Sequence, residues 1–73
     1  DSGEMPAPPE PFLAVRLRRL VGELRPVARM VVVLRYQEEL EPSEIADALK
    51  MSINTVKSHL RRSLAALRKG LEA

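Results

Sequence analysis

The stretch "SEIADALKMSINTVKSHLRRSLAALRKG", Ser43 to Gly70, holds two apolar stripes of helical period separated by a corner. Ile45, Ala46 and Leu49 form the inner side of a helix of about two turns. After the corner at Lys50 and Met51, residues Ile53, Val56, Leu60, Leu64, Leu67 and Leu71 recur at spacings of three or four and predict one stripe of a longer helix. Ser52 is placed to cap that helix, its hydroxyl accepting an orphan amide, and Gly70 is placed to stop it. At 1.5 Å per residue it is about 27 Å long, more than the short helix before it can cover, so its far half must pack on another helix or on a partner. The opposite side carries Asn54, Lys57, Ser58, Arg61, Arg62 and Arg68, and no acid occurs between Met51 and Gly70.

Moving towards the N-terminus, Pro42 opens the short helix, with Glu41, Glu44 and Asp47 near its positive end and a turn at Leu40 and Glu41. A preceding helix is expected from Pro26 to about Glu39. It has Val27, Met30, Val31 and Leu34 on one face, Val32 and Val33 widen the apolar arc, and at least two of the three valines should be buried. A strand over "MVVVLRY" fits propensity but has nothing to pair with. Leu13, Leu17, Leu20 and Leu24 fall at i, i+4, i+7 and i+11 and predict a first helix from Phe12, weakened near Gly22. Before it, "DSGEMPAPPEP" holds four of the six prolines and reads as a linker. The expected architecture is all-α: a Pro-rich linker over 1–11, then a four-helix domain over 12–73 that contains a helix-turn-helix.

Composition narrows the function. Seventy-three residues allow one small domain, and a catalytic cleft of ordinary size is not expected. The absence of cysteine excludes disulfides, thiolate metal sites and thiol catalysis, and suits a cytoplasmic setting. A single His makes an imidazole metal site improbable, and neither a cofactor nor a metal is expected. No apolar run reaches membrane-spanning length and no signal peptide is visible. The chain starts at Asp1 rather than Met, so it is expected to be part of a longer protein. Ser58 and His59 are adjacent, which on a helix points them about 100° apart and rules them out as a nucleophile and its base. No catalytic residue is assigned and an enzyme is the weakest reading.

The net charge of +2 hides a pattern. A block from 16 to 35 carries six Arg and one Glu, the block from 36 to 49 carries five acids and no base, and that from 50 to 73 carries six bases and one acid. Basic blocks around an acidic one suit a surface that meets a polyanion, though a solvated helix face would also account for the first block. One of the acids, Glu39, lies four residues from Arg35 and is placed to pair with it. A short helix, a tight turn and a longer helix with a basic leading face form the arrangement whose second helix enters the DNA major groove. There Arg and Lys donate to guanine O6 and N7, Asn and Ser reach base edges or phosphates, and the N-terminal amides with Thr55 attract a phosphate.

With these residues in view, "VVVLRYQEELEPSEIADALKMSINTVKSHLRRSLAALRKGL", Val31 to Leu71, resembles region 4 of bacterial sigma factors of the extracytoplasmic-function group. The resemblance implies a domain that recognises the minus-35 promoter element in double-stranded DNA while docking on the β-subunit flap of RNA polymerase through apolar surface of the first two helices. By position it implies that Lys57, Ser58, Arg61 and Arg62 face the bases, and that Asn54 and Thr55 lie near phosphates. Ser52, His59 and Lys69 complete the expected backbone contacts. Two positions depart from the family pattern: Lys50 stands where the turn usually has Gly, and His59 where Arg usually precedes the core Leu60. A LuxR-type output domain shares "EIA" and "TVKSHL" and tolerates a non-Gly turn, whereas "LRYQEEL" and the basic extension "RRSLAALRKG" favour the sigma family. A helical interaction module captured by an anti-sigma factor is the remaining alternative.

Overall fold

The computed structural model describes residues 10–72, so the linker expected over 1–11 lies outside the described residues except at its last two positions. Those two belong to a helix. The elements are α1 (Glu10–Gly22), α2 (Pro26–Tyr36), α3 (Pro42–Leu49) and α4 (Ile53–Glu72), and no strand occurs among the described residues. Pro11 falls in the first turn of α1, where its missing amide has no helical partner to lose.

Each helix ends for a local reason. At the end of α1 the Glu23 amide bonds back to Leu20 (3.1 Å), and Arg29 donates from Nη1 to the Gly22 carbonyl at 3.0 Å, tying the corner to α2. Arg25 is extended and Pro26 takes the first position of α2. That helix stops at Tyr36, three residues short of the expected Glu39, because Glu39 adopts a left-handed conformation with φ 61°. The Arg35 guanidinium does not meet Glu39 as anticipated; it donates to the Leu40 carbonyl at 3.1 Å and lies 5.6 Å from the centroid of the Tyr36 ring.

A reciprocal capping box opens α3: the Glu41 amide donates to Glu44 Oε1 at 2.7 Å, while the Glu44 amide is held by the Glu41 carboxylate. Its other end is closed by Lys50 in the left-handed region (φ 59°, ψ 49°), so the turn carries the conformation that a glycine would adopt without a steric penalty. Lys50→Gly is therefore expected to raise stability by about 0.5–1 kcal/mol in urea denaturation, the relief of the left-handed penalty exceeding the glycine's entropy cost.

The core joins α2, α3 and α4 through Val31, Val32, Ile45, Ala46, Val56 and Leu60, with Leu24, Leu34, Leu40, Leu49 and Met51 packed around it. Two of the three consecutive valines are buried, as their run predicts. Val27 (47% exposed) and Met30 (51%) are not part of it, so the inner face of α2 is narrower than its apolar pattern. The stripe of α4 is also shifted: its buried line is Val56, Leu60, Ser63 and Leu67, while Ile53 and Leu64 sit at its margin. Ser63, only 3% exposed, is small enough to let neighbouring helices approach.

Beyond the core, α4 runs on through Gly70 to Glu72, so Gly70 is not the stop that the sequence suggests. Its value is space: a Cβ there would lie 2.6 Å from Leu20 Cδ2 of α1. Arg16 adds a bond from Nη2 to the Leu71 carbonyl at 3.2 Å. The far half of α4 is thus covered by α1, as its length requires.

Candidate nucleic-acid interface

The leading turn of α4 is built by Ser52, whose Oγ accepts the Thr55 amide at 3.1 Å and lies 2.9 Å from Thr55 Oγ1. This satisfies one of the orphan donors of the helix start. Two hydroxyls that share one mutual hydrogen bond leave one proton over, whichever donates, and both side chains are exposed at the positive end of the helix.

Along the same half, Asn54, Lys57, Arg61 and Arg62 are exposed and Ser58 is half-buried. At 100° per residue, Lys57, Ser58, Arg61 and Arg62 span an arc of about 140° on the side away from the buried line. The structure therefore brings together the four residues expected to face the bases, with Asn54 beside them. No acid interrupts α4 before Glu72. The acidic stretch ahead of it is partly absorbed by the Glu41 and Glu44 capping box, which leaves those carboxylates occupied in folding rather than aimed across α4.

His59 is placed differently. It is half-buried and lines a cavity of about 530 Å³ between α4 and the corner joining α1 to α2, together with Arg25, Arg62 and Ser63. Lys69 is exposed two turns beyond Arg62, about 10 Å further along the axis. Arg68, on the polar side by sequence, instead lines a groove of about 850 Å³ that runs between α1, α2 and the far half of α4. Leu17, Val21, Val33, Tyr36 and Leu64 give this groove an apolar surface, and Arg18 faces it as well. The place of Arg25 beside His59 has no signal in the sequence beyond its membership of a basic block, because only the packing of the α1–α2 corner brings it to α4. Among the described residues no helix is long and apolar enough to cross a membrane.

Comparison with known proteins identifies the family. The family described as Sigma-70, region 4 matches residues 14–67, which include all of α2 and α3 and most of α1 and α4. The chain belongs to that family, which sets aside the LuxR-type alternative. It is 54% identical over 57 residues to an RNA polymerase sigma-E factor of Streptomyces avermitilis, a match covering 78% of this chain and 32% of the relative. Proteins of the same description from Streptomyces antibioticus (55% over 49 residues, 67% of this chain, 27% of the relative) and Streptomyces coelicolor (54% over 50 residues, 68% and 28%) are similar to it. The chain spans about a third or less of the length of these relatives.

Proposed function

We propose that this domain recognises a promoter element, the minus-35 element, by placing the leading half of α4 in the major groove while its apolar groove holds it on RNA polymerase. The observation that carries the reading is the division of α4 into two surfaces. Its first turns present Asn54, Lys57, Arg61 and Arg62 to solvent without an acid among them, whereas its far half contributes Leu64 and Leu71 to the groove shared with α1 and α2. A face of cationic and amide donors suits guanine O6 and N7 and adenine N7 and N6, and so reads sequence. Lys57, Ser58, Arg61 and Arg62 are assigned to the bases; Ser52, Asn54, Thr55, His59 and Lys69 are assigned to the sugar-phosphate backbone.

The groove is assigned to the polymerase β-subunit flap. Its apolar floor and the charges of Arg18 and Arg68 suit an apolar helix with acidic flanks, and an anti-sigma factor competing for the domain would use the same surface. Few phosphates are within reach of the leading half of α4, so the isolated domain should bind DNA weakly and with strong salt dependence. The test is a selection from random duplexes at two salt concentrations, followed by sequencing of what is retained. Enrichment of a single asymmetric element is expected. A palindrome, or retention at low salt without any enrichment, would overturn the proposal.

A further inference from the structure

We infer that Arg25 and His59 form a phosphate-holding site in the cavity between the α1–α2 corner and α4, so that a residue outside the helix-turn-helix grips the DNA backbone. The inference rests on the DNA-binding reading above and adds to it a residue and a place.

Three observations carry it. First, the cavity of about 530 Å³ is lined by Arg25 from the corner and by His59 and Arg62 from α4, and no carboxylate is among its lining residues. Second, the arginines of this domain divide by use. Arg16, Arg29 and Arg35 each donate to a main-chain carbonyl, of Leu71, Gly22 and Leu40 respectively. Arg25 stands outside that set: it occupies the N-cap position of α2 without a side-chain capping bond, is exposed, and is followed by a first turn without an acid. Third, the cavity continues the α4 side on which the phosphate residues are expected. Ser52, Thr55, His59 and Arg62 follow at spacings of three, four and three, one line along a helix, and from Thr55 to Arg62 that line advances about 10 Å.

Along one strand of B-DNA the axial rise is about 3.4 Å per phosphate, so the line is long enough for the Ser52–Thr55 turn and the cavity to meet different phosphates of the same strand. The Arg25 guanidinium offers paired donors to the phosphate oxygens, and an imidazole N–H of His59 donates in either protonation state. Arg62, assigned above to the bases, adds positive charge to the same cavity.

Arg25→Ala, titrated by anisotropy into a duplex that the unaltered chain binds, is expected to lose about five- to tenfold in affinity near 0.1 M salt. The loss should be the same for a matched and a mismatched duplex, and the slope of log K against log salt should fall by about one. Arg25→Lys should recover part of the affinity and the whole slope, and circular dichroism should show unchanged helix content. Affinity and slope both unchanged in Arg25→Ala, with the unaltered chain still binding, would overturn this inference alone. Loss of preference between the duplexes would also overturn it, since Arg25 would then be reading bases. Failure of the unaltered chain to bind any duplex would instead overturn the reading beneath it. Inorganic phosphate added without DNA separates the two sources of the anion: shifts of the His59 imidazole resonances at millimolar phosphate, with DNA affinity unchanged in Arg25→Ala, would show a site for free anions only and overturn the inference. DNA binding that depends on Arg25, with or without such weak shifts, supports it.

Discussion

Ile45→Ala should cost about 3 kcal/mol of folding stability, measured by urea denaturation followed at a helical circular-dichroism band. Ile45 is fully buried where α2, α3 and α4 meet, and no polar group or solvent can take the place of the lost atoms. A domain of this size has a total reserve of roughly 4–10 kcal/mol, so one core truncation removes a large share of it. Ile53→Ala supplies the comparison, because the same atoms are deleted from a side chain that is 39% exposed at the edge of α4. Its cost should stay below about 1 kcal/mol. Equal costs at the two positions would mean that the core is not centred on α3.

The largest effect on binding is expected from reversing two charges on the reading face. Lys57→Glu combined with Arg61→Glu should reduce affinity for the selected duplex by at least about 100-fold near 0.1 M salt, because two attractive contacts become two repulsive ones. Both side chains are exposed, so the helix content should be unchanged. Neither residue borders the groove, so the double variant should leave the proposed docking surface intact. If affinity for the duplex stayed within threefold, the α4 face would not be the one that meets DNA.

Much of this arrangement was legible in the sequence because it depends on local pattern. Pro26 and Pro42 mark helix starts, Ser52 marks a third, and the leucine spacing of α4 shows which side is turned towards the other helices. Family resemblance added the expected direction of the reading face, and the family match bears out the family itself. What the pattern missed is what packing alone decides. Period-based reading makes Val27 and Met30 equivalent to Val31, yet α3 and α4 cover only part of the apolar arc of α2. Ser63 is polar by type and buried by position. Gly70 has the residue type of a helix stop, and only the approach of Leu20 shows that its lack of a side chain serves a contact instead. Of the candidate site, the cluster on α4 follows from helical spacing, whereas the neighbourhood of His59 depends on the fold of the α1–α2 corner and had no local signature.

The direction of α1 across α4 has a practical consequence. Leu24 lies at the cavity shared with His59 and Arg62, Leu20 meets Gly70, and Arg16 reaches Leu71, so α1 runs antiparallel to α4 and its beginning lies near the end of that helix. The start of α1 at Glu10 and the end of α4 at Glu72 consequently share one pole of the described residues, with Asn54 to Arg62 towards the other. Coupling through a residue at that pole, such as a cysteine put in place of Glu72, should leave a duplex free access to the leading half of α4, whereas random coupling through lysines would consume Lys57 and blind the sensor to DNA.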